Sequence, residues 1–210
     1  MKSKSLRSLL PMLAAALMLP ASAAADCKLV MHGWIENFQG EGHRTVGFTG
    51  SFGDGQTVYG ADFSQQLGEK LIGRVGLAGC RSGMTEIAFG GLVKYDAWAS
   101  EDGMTTIQVG GGFNYVSFNG AGTTVLPFTG HVTYQATEEV TVYGGPSLSY
   151  YRFSGGVFST STTEFGLQFG AMYRAAPEWC VGAGFDWQNF GGGSTSRLNV
   201  GVYWDGLNND

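Results

Sequence analysis

The sequence contains little charge, few prolines and few cysteines. Charged residues make up 14% of its 210 residues, and only five residues are proline. Acidic residues outnumber basic ones by 17 to 12, and no extended basic segment occurs, so nucleic acid is not expected as a partner. After residue 25 there is no run of 18 or more apolar residues, and a transmembrane helix is therefore not expected there.

The three cysteines, Cys27, Cys80 and Cys180, are far apart in the sequence. None belongs to a CxxC pair or has a histidine at the spacing of a zinc ligand, so neither a metal site nor a cofactor is expected. In an exported chain two of the three can form a disulfide, which leaves one thiol over. The spacing alone does not decide which two are joined.

The N-terminal region has the features of a secretory signal peptide. Three basic residues precede an apolar run at 9–19, and alanines at 23–25 provide a cleavage site. The segment that follows alternates poorly, and it fits a periplasmic lead, a plug inside the fold or an extra strand. The predicted organisation is a signal peptide at 1–25, a lead segment at 26–43, a barrel at 44–204 and a tail at 205–210.

Glycine and alternating apolar residues dominate the rest of the chain. Thirty-five residues are glycine, and the stretch TEFGLQFGAMYR at 163–174 places large apolar side chains on one face and Glu164, Gln168 and Arg174 on the other. Alternation with a period of two is typical of β-strands, and it recurs in ten segments from 44 to 204, separated by short turn-forming stretches. The pattern predicts an all-β, closed up-and-down antiparallel barrel of ten strands, with eight longer strands as the alternative.

The pattern also indicates which face is outside. A soluble barrel would bury the apolar face, whereas a membrane barrel turns it towards lipid. The polar face carries many glycines, which are unfavourable in a water-facing strand, and it carries few charges. Large aromatic residues on the apolar face cluster near the strand ends, as in the aromatic girdles of transmembrane barrels. One predicted band contains Tyr95, Tyr134, Tyr173, Trp179 and Trp204, and the other contains Phe52, Tyr59, Tyr115 and Trp187.

With these features the chain resembles the small outer-membrane β-barrels of Gram-negative bacteria, the opacity-protein and porin-like group. The resemblance covers 44–204 and rests on the signal peptide, the alternating strands and the closing strand LNVGVYW. It implies location in the bacterial outer membrane. It also implies outer-membrane lipid and the barrel-assembly machinery as partners, with Trp204 as the terminal aromatic residue that this machinery reads.

The candidate functional residues are the polar and charged side chains on the predicted inner face. They fit a non-catalytic barrel, either a narrow porin-like channel that admits small solutes or a structural membrane element. Charges of both signs can pair across the interior and narrow it. A fully satisfied polar core without transport is an equal alternative to a pore. These residues are Asp62, Arg74, Glu86, Lys94, Asp96, His131, Glu164, Arg174, Asp186 and Arg197.

A membrane-embedded acyl hydrolase or transferase is the alternative function. Such enzymes combine a histidine, a hydroxyl nucleophile and a carboxylate, and His131, Thr133 and Glu164 are the candidates here. Serine is the usual nucleophile, and a lone interior histidine is more typical of a polar filler, so catalysis is not expected. The loops on both rims are predicted to be short, the longest being around 155–162, which argues against an adhesin or receptor.

Overall fold

The computed structural model describes residues 44–53, 56–81, 85–118, 121–155, 158–190 and 193–205. The predicted signal peptide, the lead segment at 26–43 and nearly all of the predicted tail lie outside these residues. No helix in the described residues has the length and apolarity needed to cross a membrane. The described strands are β1 (Arg44–Gly53), β2 (Gln56–Gly68), β3 (Leu71–Arg81), β4 (Thr85–Ala99), β5 (Thr105–Phe118), β6 (Ala121–Gln135), β7 (Val140–Gly155), β8 (Phe158–Ala176), β9 (Trp179–Phe190) and β10 (Gly193–Trp204).

Each strand pairs antiparallel with its neighbours in the chain, and β1 pairs antiparallel with β10, so the sheet closes on itself. The closing ladder runs from Val46 opposite Trp204 to Phe52 opposite Leu198. The predicted closed up-and-down barrel of ten strands is therefore confirmed within the described residues, and the alternative of eight strands is wrong.

The strand register fixes the size of the barrel. A path that follows register partners once around the sheet leaves β8 at Met172 and returns to it at Thr160, twelve residues away. With ten strands, this stagger and standard strand spacings give a tilt of about 40° and a backbone radius of about 10 Å. The interior is consequently wider than one layer of small side chains can fill.

The two rims of the barrel differ in the connections that they carry. We call the rim at which β1 begins the entry rim, and the opposite rim the far rim. Four connections lie at the entry rim, at 69–70, 100–104, 136–139 and 177–178.

In the turn at 100–104, Asp102 accepts hydrogen bonds from Ser100 Oγ (2.5 Å) and from the backbone N–H of Met104 (3.0 Å), and these bonds lower its pKa. Gly103 adopts a φ of 70°, which favours glycine.

The connection between β7 and β8 is shorter than the sequence predicted. Residues 155–162 were expected to form the longest connection, but β7 continues to Gly155 and β8 begins at Phe158. The Ser and Thr residues at 159–163 instead pair with the last part of β7, for example Thr162 opposite Tyr151. Polar composition suggested a loop, whereas the hairpin ladder simply continues through these residues.

Side chains divide cleanly between the two surfaces of the barrel. Among the described residues, all the buried hydrophobic side chains point inward, and so do all but one, Thr57, of the 18 buried polar or charged side chains. The large exposed hydrophobic residues point outward, apart from Met104 in a turn. This arrangement is the reverse of a soluble barrel, because the surface turned away from the interior is apolar and would suit lipid rather than water.

Aromatic side chains line the outer surface near both rims. At the entry rim the rings of Trp179 and Trp204 lie 6.4 Å apart on paired strands. Towards the far rim Phe52 packs edge to face against Tyr59, with ring centroids 6.2 Å apart. Tyr134 of the entry-rim group is 45% exposed. Both predicted aromatic groups therefore lie at the strand ends expected for them.

The structure shows in part which of the three cysteines take part in a disulfide. Cys80 is disulfide-bonded, and Cys180 is a free thiol buried in the interior. Cys27 lies outside the described residues.

Charge on the outer surface should be tolerated according to depth. Phe128 lies mid-strand on the outer surface and is 54% exposed, whereas Tyr134 lies near the entry rim on the same strand. Relative to the alanine variant at the same position, we expect Phe128→Arg to lower the unfolding free energy by about 2–4 kcal/mol and Tyr134→Arg by about 0–1 kcal/mol. Reversible unfolding in lipid bilayers measures both. Equal effects at the two positions would contradict the membrane-facing orientation.

Candidate functional site in the barrel interior

The interior is assembled from every second residue of the ten strands. The structure buries seven of the ten candidate residues, and leaves Glu86, Asp96 and Arg174 partly buried. Their side chains do not converge on one point but form several groups along the wall. The buried seven are Asp62, Arg74, Lys94, His131, Glu164, Asp186 and Arg197.

One group is an ion pair on β2 and β3. Arg74 Nε lies 3.0 Å from Asp62 Oδ1, and both side chains are almost fully buried. The Arg74 guanidinium also lies over the ring of Tyr203, with Cζ 5.7 Å from the ring centroid. An ion pair in such surroundings needs close geometry and further partners to offset its desolvation, and the aromatic ring supplies one such contact.

Glycines on the inner wall make room for two tyrosine rings. A Cβ atom on Gly47 would lie 2.6 Å from the Tyr203 ring, and one on Gly201 would lie 2.8 Å from it. A Cβ on Gly170 would likewise lie 2.5 Å from the Tyr143 hydroxyl oxygen. The two rings therefore lie along the wall over backbone that carries no side chains. This explains why glycine is frequent on a face that would otherwise favour larger strand residues.

A second group involves four strands, β4, β5, β6 and β8, through amide side chains. Gln108 Nε2 donates to Asp96 Oδ1 at 2.7 Å, and His131 Nε2 lies 2.8 Å from Gln168 Oε1. The second contact passes over β7 at Gly145, which is the register partner of Gln168. A Cβ on Gly145 would lie 1.8 Å from the backbone carbonyl oxygen of Gly130 and 2.9 Å from His131 Cα, so a side chain there would displace the backbone that carries the histidine.

Two further groups occupy β7 to β10. Asp186 lies directly opposite Arg197 in the ladder and is hydrogen-bonded by the Asn199 side chain. On the neighbouring strands, the Tyr151 hydroxyl lies close to the Glu164 carboxylate, and Tyr151 is completely buried. Each of these carboxylates thus has a polar partner within the wall, as buried charges require.

Arg174 and Glu86 lie towards opposite ends of the interior. Arg174 Nη1 donates to the backbone carbonyl of Pro177 at 2.9 Å and lies 3.6 Å from Asp205 Oδ2. It therefore joins Asp205, the residue after β10, to the turn between β8 and β9 at the entry rim. Glu86 lies beside Cys80 in the ladder, close to the far rim.

Sequence reasoning missed three interior tyrosines: Tyr143, Tyr151 and Tyr203. Tyr203, opposite Cys180 on the inner face of β10, was not among the candidates. Tyr143 and Tyr151 lie on β7, where Gly144, Gly145 and Pro146 interrupt the contrast between the two faces. The hairpin register with β8 was the signal that could have found them, because it pairs Tyr143 with Gly170 and Tyr151 with Thr162.

Within the described residues the interior does not offer a metal site. Groups of three or more His, Cys, Asp and Glu side chains close enough to share a metal ion do not occur there. Several acidic residues instead lie next to basic, amide or tyrosine side chains, as Asp62 does with Arg74, Asp96 with Gln108 and Glu164 with Tyr151. What the interior offers chemically is a set of closely spaced polar groups with charges of both signs.

Neither a protein-family model nor a curated protein matches this chain. Solved structures of similar fold include the KdgM porin (10% identity over 76% of this chain and 98% of that one, TM-score 0.43). They also include the NanC porin (13%, 76% and 98%, TM-score 0.42) and the N-terminal β-barrel domain of Pseudomonas aeruginosa OprF (12%, 79% and 98%, TM-score 0.39). The likeness concerns the fold and extends no further.

The chain has the fold of the small outer-membrane β-barrels of Gram-negative bacteria, as its sequence led us to expect. A closed sheet satisfies the backbone within hydrocarbon, and the apolar exterior meets lipid. Antiparallel barrels with these surfaces are built to span a membrane with the apolar side outward.

Removing one partner of the Asp62–Arg74 pair should leave a buried charge without its counter-ion. We expect Arg74→Met to lower the unfolding free energy by about 3–5 kcal/mol. The double variant Asp62→Asn/Arg74→Met should lose at least about 1 kcal/mol less than the sum of the single variants. Arg174→Met is the matched control at the entry rim, where loss of the more exposed contact should cost about 0–1 kcal/mol. Additive single effects would show that the two residues do not act as a pair.

Proposed function

We propose that this protein is a sealed, non-catalytic barrel of the outer membrane, a structural membrane element rather than an open diffusion pore. The observation that supports this is the burial of its polar interior. In a water-filled channel the polar side chains of the wall would remain accessible to water, whereas 17 polar or charged side chains of this wall are buried. Its main partner is then the surrounding lipid, which contacts the apolar exterior.

The chemistry of the wall supports the same proposal. Charges of both signs lie close to one another, as in the Asp62–Arg74 pair and the neighbouring Asp186 and Arg197. Paired charges at low dielectric hold side chains in place across the interior. A wall that selected solutes of one charge would instead present one sign of charge to the lumen.

The surroundings of His131 favour a filling role over an enzymatic one. Its Nε2 atom is hydrogen-bonded to Gln168, and the side chain is buried on the inner wall, away from lipid. Thr133 Oγ1, the candidate nucleophile, lies 3.5 Å from the backbone carbonyl of Thr106. A base that acted on lipid would need to reach an acyl chain or a headgroup from an accessible site.

Planar-bilayer recording of the purified protein tests whether the barrel is sealed. We expect no ionic conductance and no steady single-channel current steps, because polar side chains and not water occupy the interior. The bilayers and detergent used for the protein should also be recorded without it as a control. Reproducible steps of uniform size that scale with the amount of protein would show a pore and overturn the proposal.

Substitution of His131 tests the enzymatic alternative. We expect His131→Ala to leave phospholipid hydrolysis and acyl transfer by the membrane fraction unchanged, because His131 has a structural partner and no access to lipid. Gln168→Ala is the matched control, since it removes the same hydrogen bond while retaining the histidine. Loss of a lipid-modifying activity in correctly folded His131→Ala, but not in Gln168→Ala, would support the enzyme instead.

A further inference from the structure

Arg152 lies on the outer surface of the barrel, towards the far rim. It belongs to β7, and its register partners are Thr124 on β6 and Ser161 on β8. Its neighbour in the chain, Tyr151, is completely buried in the interior, so Arg152 points outward. The Arg152 side chain is exposed, and it makes no ion pair with any residue in the described part of the chain.

The outer surface offers Arg152 no counter-ion from its own sheet. Among the basic strand residues whose side chains the structure describes, only Arg44 also points outward, and it begins β1 at the entry rim. A cation in this position is suited to an anion that comes from outside the protein. The acidic residues of the described strands all lie on the inner face: Asp62, Glu86, Asp96, Glu164 and Asp186.

The depth of Arg152 matches the boundary between hydrocarbon and lipid headgroups. Along β7 the outward apolar side chains extend from Val142 to Tyr150, one outward position before Arg152. With a strand tilt of about 40°, these eight residue steps rise about 20 Å. The apolar band of transmembrane barrels is about 25 Å tall. Tyrosine is typical of the membrane interface, so Arg152 lies where headgroup phosphates begin.

Hydroxyl-bearing residues flank Arg152 on both sides. Thr124 and Ser161 are directly opposite it, and such cross-strand partners have Cβ atoms about 4.5–5.5 Å apart. A Cβ atom on Gly122 would lie 2.8 Å from Tyr115 Cζ, so the Tyr115 ring lies over β6 beside Thr124. A guanidinium with hydroxyl donors around it can satisfy several oxygens of one phosphate group.

We propose that this surface binds the phosphate group of an anionic membrane lipid. We call Tyr115, Thr124, Tyr150, Arg152 and Ser161 the Arg152 site. The guanidinium donates to the phosphate oxygens, the hydroxyl groups provide further donors, and the acyl chains run along the apolar surface beyond Tyr150. The inference deepens the lipid contact of the proposed function and rests on it for the lipid-facing orientation, but it does not depend on whether the interior conducts.

A lipid suits this position better than a dissolved anion. The acyl chains hold a headgroup at the depth of Arg152, so its effective concentration there is far above that of a free solute. The chains also meet the outward Leu148, which is 47% exposed and lies below Tyr150 on the same strand. One lipid molecule therefore satisfies both the charged part and the apolar part of this surface.

Native mass spectrometry of the purified full-length protein tests the Arg152 site. The protein is released from mixed micelles containing equal amounts of phosphatidylglycerol and phosphatidylcholine, and the lipids retained by each barrel are counted. We expect phosphatidylglycerol to be retained preferentially. In Arg152→Gln this preference should fall at least about fivefold, the factor that one arginine contributes near an anionic lipid surface. Arg44→Gln is the matched control, because it removes an outward arginine at the opposite rim and should leave the preference unchanged.

Two further variants distinguish a built site from attraction to charge alone. Arg152→Lys keeps the charge but removes the two-pronged geometry of the guanidinium. The double variant Thr124→Val/Ser161→Ala keeps the arginine and removes the flanking hydroxyl groups. We expect each to lower the preference for phosphatidylglycerol at least about twofold. An unchanged preference in both would overturn the hydroxyl-lined site.

The remaining outcomes separate the source of the phosphate and the proposed function. Equal preference in Arg152→Gln and the unchanged protein, both correctly folded, would overturn the inference. Binding of inorganic phosphate in neutral detergent that is lost in Arg152→Gln would make a free anion the ligand and also overturn it. A barrel that conducts in bilayers but retains phosphatidylglycerol would overturn the sealed function and leave the Arg152 site standing.

Discussion

The antiparallel ladder between β1 and β10 is the constraint on which the rest of the structure depends. In hydrocarbon every backbone N–H and C=O must find a partner within the protein, and an open sheet would leave two edges unpaired. The ladder joins the first and last strands from Val46–Trp204 to Phe52–Leu198 and removes both edges. Once the sheet is closed, each side chain is committed either to lipid or to the interior, because successive residues point to opposite faces.

The interior follows from this commitment. Charged and amide side chains that cannot face lipid are collected inside, where they must satisfy one another. Some of them pair with neighbours on adjacent strands, such as Gln108 with Asp96, and others make contacts that pass over a glycine, such as His131 with Gln168. Glycine thus allows the polar groups and tyrosine rings to lie flat along a wall that larger residues would crowd.

Much of the fold could be predicted because the barrel repeats one simple rule. The period of two identified the strands and their inner faces, and the composition of the polar face indicated lipid outside. The errors arose where local composition obscured the rule. The Ser and Thr residues at 159–162 were taken for a loop although they lie within β8. Tyr143 and Tyr151 were missed because Gly144, Gly145 and Pro146 interrupt β7. Candidate residues could be assigned to the interior, but their partners could not, since these depend on the stagger between strands.

By itself the sequence determined that alternate residues would face lipid and that the chain would form a meander of hairpins, because both properties depend on neighbouring residues. Only the tertiary structure decided how many strands close the barrel and how far they are staggered. The total stagger is twelve residues, and the register of the strands brings Arg74 over Tyr203. It also decided that Cys80, and not Cys180, is disulfide-bonded. The physical reason is that closure and cross-strand contacts join residues far apart in the chain, and a local pattern carries no record of their register.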